Sequence, residues 1–272
     1  MEMAEIAASG SINRIIIAVD ASLRGFNMLE VAAKLAARRQ IELAVLFIED
    51  VNLINFAGLP FAREIDLVSA VERELDDLQL VRSLQSQAQK TSRFLEQLAS
   101  QLKVNYSFRV LRGDYMKEVF SASLETDVLF LSKRIGRYNR LRLEWTRRSS
   151  PAFFAASPVA DKNLCVIYDG SPGSDRALAL ARELALAADR GLMVMLRVDE
   201  NKSVAQLREQ VASITGGGDR RVQYVVITDD NSSLTKALHR QRCEMLILHK
   251  SDKEQLTDSL LEDPGCPVVL VQ

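Results

Sequence analysis

The stretches IIIAVDAS at 15–22 and CVIYDGS at 165–171 decide the fold, because each is a short apolar run that ends in an aspartate and a small polar residue. Runs of this length, bounded by turn formers, read as strands buried on both faces. Each is followed by an Ala- and Leu-rich amphipathic stretch, MLEVAAKLAARRQ at 28–40 and ALALARELALAADRG at 177–191, which reads as a helix. A second apolar strand then ends in acid, IELAVLFIED at 41–50 and LMVMLRVDE at 192–200. Further on, VNYSFRVLRGD (104–114) parallels VQYVVITDD (222–230), and VFSASLETDVLFLSK (119–133) parallels LTKALHRQRCEMLILHK (234–250). The last pair sets SPAFFAA at 150–156 against CPVVLVQ at 266–272 as a fifth strand, although the first version is poor in β-branched residues. One unit in two tandem copies is the expectation.

Strand alternating with helix is the pattern of an α/β, doubly wound parallel sheet, with right-handed crossovers that place helices on both faces. A chain of 272 residues accommodates two domains of roughly 100 to 150 residues each. The expected domains are 1–158 and 159–272, joined by the turn-rich SPVADKN at 157–163. With 47% hydrophobic and 26% charged residues the composition is that of a globular protein that buries a core.

The formal charge of −1 gives the whole molecule no pull on nucleic acid or anionic membrane, so nucleic-acid binding is not expected. Cys165, Cys243 and Cys266 are an odd number without CxxC or metal-ligand spacing, and read as reduced thiols. The opening MEMAEIAASGSI lacks the basic and apolar regions of a signal peptide, and no long uncharged apolar run offers a membrane span. The expected location is cytoplasmic.

The strand endings VDAS and YDGS, the Ala-rich helix, the acidic-ended second strand and the closing CPVVLV, taken together and in order, resemble the universal stress protein family over nearly all of both halves. The resemblance implies the adenine nucleotide alpha-hydrolase-like fold, with strand order 3-2-1-4-5. It implies a nucleotide site, in the members that bind ATP, outside the carboxyl ends of strands 1 and 4, which is also the topological switch point where crossovers diverge and leave a crevice. It also implies pairing of the two halves like the family's homodimer, through their fifth strands.

In the ATP-binding members the aspartate ending strand 1 contacts adenine, which carries over to Asp20 and Asp169, and the phosphates lie in a loop of pattern Gly-x-x-Gly-x9-Gly-Ser/Thr after strand 4. Here that spacing maps the three glycines to Ser132, Ile135 and Trp145, with Thr146 at the final hydroxyl position. In the second half, His249 and Asp252 stand at the first two positions and the rest of HKSDKEQLTDSLLEDPG is too short. Side chains at these positions restrict positive φ and block close approach of a phosphate, so family-type ATP binding is expected to be absent.

Asp20 and Asp169 also suit a plainer role, capping the following turn through its N–H groups, and Ser174 or Asp175 reads as a helix N-cap before Ala177. Between 133 and 148 lie Lys133, Arg134, Arg137, Arg140, Arg142, Arg147 and Arg148 against Glu144 alone. This bias is either a solvated basic face or a set of guanidinium groups that hold an anion in place of the lost loop. The candidate cofactor-binding residues are therefore Asp20, Ser22, Ser132, Lys133, Arg134 and Thr146, with Asp169 a vestige in the second half. His239 and His249 have no partners at metal spacing, and no catalytic constellation is expected.

The first half carries roughly 30 more residues than the second between strands 2 and 3, by comparison of 51–103 with 201–221. This insert, about 51–85, begins VNLINFAGLPFAREI and then runs without Pro or Gly from Ile65 to Lys103. Leu67, Val71, Leu75, Leu78, Val81, Leu84, Ala88, Leu95, Leu98 and Leu102 step by threes and fours, with Thr91 filling one gap, which predicts a helix with one apolar stripe. Unbroken, it would exceed about 50 Å at 1.5 Å per residue. Its second part reads as the ordinary second helix, whereas the first part, with Phe56, Leu59 and Phe61, reads as a cover for another surface or a docking site for a protein partner.

The functional expectation is a stress-linked regulatory protein that acts by binding rather than catalysis and needs no cofactor, an intramolecular pseudo-dimer of its two domains or a homodimer. The alternative is an adenine-nucleotide module, for ATP or AMP and with slow ATPase activity, that uses the basic loop of the first domain.

Overall fold

Residues Ile15 to Val19 are buried without exception, which an extended chain achieves only when both of its faces are covered. Odd positions Ile15, Ile17 and Val19 join one core and even positions Ile16 and Ala18 join the other. Burying each of the isoleucines fully contributes about 1.5–3 kcal/mol.

A computed structural model describes residues 12–20, 25–65, 71–124, 127–132, 163–198, 202–216, 221–227, 237–238, 240, 243–250 and 266–271. In chain order the elements are β1 (Arg14–Val19), α1 (Gly25–Arg39), β2 (Glu42–Asp50), α2 (Val51–Ala57), β3 (Arg63–Ile65), β4 (Glu72–Glu74), α3 (Asp77–Leu102), β5 (Tyr106–Gly113), α4 (Tyr115–Ala122) and β6 (Asp127–Leu131). The second half follows with β7 (Asn163–Tyr168), α5 (Pro172–Ala188), β8 (Gly191–Arg197), α6 (Val204–Thr215), β9 (Val222–Ile227), β10 (Met245–His249) and β11 (Val268–Val271). Helices α1, α3, α5 and α6 cover one face of the sheet, and α4 with Leu238 packs on the other.

Among the described residues the main sheet has nine strands, in the order β5-β2-β1-β6-β11-β10-β7-β8-β9. Strands β9-β8-β7-β10-β11 follow the expected 3-2-1-4-5 order, and β5-β2-β1-β6 follow its first four places. All neighbours are parallel except β6 and β11, which run antiparallel with Val268 opposite Leu131 and Val271 opposite Val128.

This join corrects the expectation of contact between two fifth strands. The edges of β6 are taken by β1 and β11, so the second half's fifth strand pairs with the first half's fourth. The segment 150–156 lies outside the described residues. Val268–Val271 reads VVLV and is wholly buried, and β-branched residues suit a pleated surface covered on both sides. Across the join, Arg39 at the end of α1 meets Glu183 of α5 at 2.7 Å, and Lys250 lies 5.7 Å from the ring centre of Phe120. At the start of β1, Arg14 donates to the buried Asp127 at 2.7 Å, and Asp127 also accepts from the Leu124 N–H.

The insert differs from one long helix. Arg63–Ile65 and Glu72–Glu74 form an antiparallel two-stranded hairpin, and α3 starts only at Asp77. Asp76 ends the extended segment: its carboxylate accepts from the N–H groups of Leu78 and Gln79, the N-cap arrangement that favours initiation there. At 26 residues, α3 spans about 39 Å at 1.5 Å per residue. Its buried stripe is Leu80, Leu84, Ala88, Thr91, Leu95, Leu98 and Ala99, so the expected stripe holds from Leu84 onward, while Leu80 rather than Leu78 faces inward in the first turn. Leu80 and Leu84 close a small separate core with Leu53 and Ala57 of α2. Farther along, Phe94 stacks edge-on against Phe26 of α1 with ring centres 5.1 Å apart.

Because Leu270 is fully buried in the joining strand and Leu186 is half exposed on α5, Leu270→Ala is expected to cost about 2–5 kcal/mol in urea unfolding. Leu186→Ala should stay within about 0.5 kcal/mol.

Candidate functional site

The carboxyl ends of β1 and β6 and of β7 and β10 are the two topological switch points, where doubly wound sheets place their ligand sites, and the registers make them comparable. At the strand starts Arg14 pairs with Asp127 and Leu164 with Met245, and continuing the two registers carries Ser132 opposite Val19 and His249 opposite Tyr168. Ser132 and His249 thus hold equivalent places.

At the first switch point, Tyr115 is buried against the ends of β1 and β6. The N-cap Asp114 starts α4 directly after β5 and presents Tyr115 in the first turn, 3% exposed. The phenol donates to the Ala18 carbonyl at 2.8 Å and accepts from the Ser132 N–H at 3.2 Å, bridging the ends of β1 and β6. The Ser132 N–H also reaches the Ala18 carbonyl at 3.2 Å. The Ser132 Oγ is buried and has no hydrogen-bond partner among the described residues. A buried hydroxyl left in that state costs about 1–3 kcal/mol. Asp20, half-buried, follows β1 at the same end. Of the other expected site residues, Ser22, Lys133, Arg134 and Thr146 lie outside the described residues, as does the whole basic segment 133–148.

At the second switch point, side chains bond the backbone of the turn and of the helix start. Asp169 accepts from the Ser171 N–H at 3.0 Å, an Asx turn that caps the loop after β7. Ser171 in turn is the N-cap of α5, accepting from the Ser174 N–H, with Pro172 in the first turn. The cap therefore stands ahead of the expected Ser174 or Asp175, because Pro172 has no N–H to leave unsatisfied and starts the helix earlier. Asp175 instead accepts from the Tyr168 hydroxyl at 2.8 Å.

Lys202 spans the turn: its Nζ donates to the carbonyls of Asp169 (2.9 Å) and Gly170 (2.8 Å). Gly170 adopts φ +72°, a backbone that side chains rarely take, and a Cβ there would press on Leu207, Lys202 and Gln210. The His249 ring lies directly against Gly173 in the first turn of α5, so that an added Cβ would overlap it. Helix start, imidazole and ammonium thus meet at the carboxyl ends of β7 and β10.

Burial pushes the Asp169 carboxyl up, but hydrogen bonds from Ser171 and Ser174, with His249 nearby, outweigh it and hold the group below the ordinary 3.8. Tyr115, Lys202 and the Gly173–His249 contact were missed by sequence reasoning. The one usable signal was LRGDY at 111–115, an N-cap aspartate directly before an aromatic residue.

No family model matches the chain, and none of the curated proteins compared with it does. Among solved structures, the chain is similar to a universal stress protein from Archaeoglobus fulgidus DSM 4304, with 14% identity, 96% of this chain and 97% of that one covered, and a TM-score of 0.50. It is also similar to a protein from Pseudomonas aeruginosa UCBPP-PA14 described as a universal stress protein, with 11% identity, coverage of 98% and 94%, and a TM-score of 0.47. The first likeness extends over the full length of both chains and gives the fold: α/β, with the sheet arrangement of universal stress proteins. No helix among the described residues is long and apolar enough to cross a membrane.

Gly173→Ala is expected to destabilise the protein by about 1–3 kcal/mol in urea unfolding. Adding His249→Ala should remove most of that loss; full persistence of the loss would show that the ring is not what Gly173 accommodates. Because the folded Asp169 value lies below 3.8, its stabilisation is present above that pH and fades as pH falls through the folded value. The stability gap between the wild type and Asp169→Asn should accordingly close in acid, as measured by urea titrations at stepped pH.

Proposed function

We propose that this protein is a stress-linked regulator of the universal stress protein type that acts by binding rather than catalysis and without a nucleotide cofactor. Its two halves would pair like the two subunits of a homodimer, as two domains that meet near residue 158, in the cytoplasm. The observation that supports this reading is at the second switch point, where Lys202 bonds the turn carbonyls of Asp169 and Gly170 and the His249 ring abuts Gly173. The sequence supports it in the first half, where Ser132, Ile135 and Trp145 replace the phosphate-loop glycines. Contact with a protein partner would fall to the insert, where Phe61 is 70% exposed and Leu59, Val71 and Leu78 are exposed beside it in sequence.

One observation favours a second reading, an adenine-nucleotide module with slow ATPase activity. The buried Ser132 Oγ, without a hydrogen-bond partner among the described residues, directly follows β6 opposite Val19, one residue from Asp20, where a ligand could supply the hydrogen bond. Thermal denaturation with ATP and with AMP separates the two. The first reading expects no change in Tm with either nucleotide and no release of phosphate from ATP. A rise in Tm with ATP that Ser132→Ala and Asp20→Ala both abolish would replace it with the second.

A further inference from the structure

The three cysteines are far apart in sequence and adjacent in space. Leu246 of β10 pairs with Cys165 of β7 on one side and with Val268 of β11 on the other. Cys243 and Cys266 stand just before β10 and β11 respectively, so the three thiols meet where three adjacent parallel strands start. Cys165 and Cys266 are buried and Cys243 is half-buried. The Sγ atoms of Cys243 and Cys266 are 3.5 Å apart, and the Cys243 thiol also contacts that of Cys165. Among the described residues, no group of three or more His, Cys, Asp or Glu is disposed to hold a metal ion.

Geometry favours one pair. Neighbouring strands lie about 4.8 Å apart, and disulfides span Cα separations of about 4.4–6.8 Å. Continuing the register of Leu246 with Val268 back toward the strand starts places Cys266 beside Glu244, one residue from Cys243. Closing 3.5 Å to the roughly 2.05 Å of an S–S bond takes a modest rotation of the two side chains.

We propose that Cys243 and Cys266 are a modification site for hydroperoxides, forming a reversible disulfide that fastens the start of β11 to the start of β10. Cys243, the more exposed, attacks one peroxide oxygen as the thiolate; the O–O bond breaks, water leaves and a sulfenic acid remains. The Cys266 thiolate then attacks that sulfur, the S–S bond forms, the S–O bond breaks and a second water leaves. Two thiols and one hydrogen peroxide give one disulfide and two waters, the sulfurs losing the two electrons that the peroxide gains. Burial, and then the neighbouring thiols of Cys165 and Cys266, push the Cys243 thiol well up, so its thiolate is scarce and the first step is the slow one. The consequence falls on β11, the strand that pairs with both β10 and β6.

The test is a peptide map of the full chain after treatment with hydrogen peroxide and alkylation of remaining thiols. The expected result is a peptide linking Cys243 to Cys266, an intact mass lower by two hydrogens, full reversal by dithiothreitol, and a higher Tm for the oxidised form than for the reduced one. All three cysteines still alkylated, oxygen added to single thiols, or links only between chains would each overturn the proposal. So would loss of two hydrogens in folded Cys266→Ser. The wild-type map decides the matter even if that variant does not fold.

Discussion

Strand β11 gives its backbone N–H and carbonyl groups to β10 on one side and β6 on the other, and both halves of the chain depend on that double pairing. A buried backbone group without a partner costs about as much as a lost hydrogen bond, so neither β6 nor β10 could keep a bare inner edge. In many doubly wound sheets such an edge is finished by a strand of the same unit. Here the residues Val268–Val271, buried to the last side chain, finish both units at once. The antiparallel direction follows, because a strand parallel to β10 must oppose β6 when the two units face each other across it. The ion pair of Arg39 with Glu183 and the contact of Lys250 with Phe120 then tie helices and strand ends across the same line.

The same scaffold produces two unlike switch points, at the strand ends where the crossovers diverge. Around β7 and β10 the ammonium of Lys202 satisfies two turn carbonyls and the imidazole of His249 abuts the first turn of α5. Around β1 and β6 the phenol of Tyr115 satisfies the Ala18 carbonyl, leaving the Ser132 hydroxyl buried without a partner among the described residues. Residues at equivalent places, Ser132 and His249, therefore have opposite consequences. At one place stands a small buried hydroxyl without a hydrogen-bond partner among the described residues, at the other a ring packed against a helix start.

The strands and the α/β alternation were legible because they rest on local information. IIIAV, ELAVLFIED, NLCVIY and GLMVMLR are apolar runs of strand length that the structure uses as β1, β2, β7 and β8. The stripe of α3 was legible from Leu84 onward for the same reason. The start of α3 was not, since VERE at 71–74 fits a helical period as well as a strand, and pairing with Arg63–Ile65 decided between them. The join was not legible either, because nothing in the sequence of β11 records that β6 is its second neighbour. Among site residues, Asp169 could be read as a turn cap from its place before Gly170 and Ser171. Tyr115 and Lys202 could not, since each acts on a backbone carbonyl brought near only by the folded chain.

Native-state hydrogen exchange of the amides in β6 and β11 tests the shared strand most directly. If β11 serves both halves, the protected amides of Val128–Leu131 and of Val268–Val271 should open with one common free energy, equal to that of global unfolding and equally sensitive to urea. Exchange of the β6 amides through a separate, lower-energy opening, while those of β11 stay protected, would contradict it.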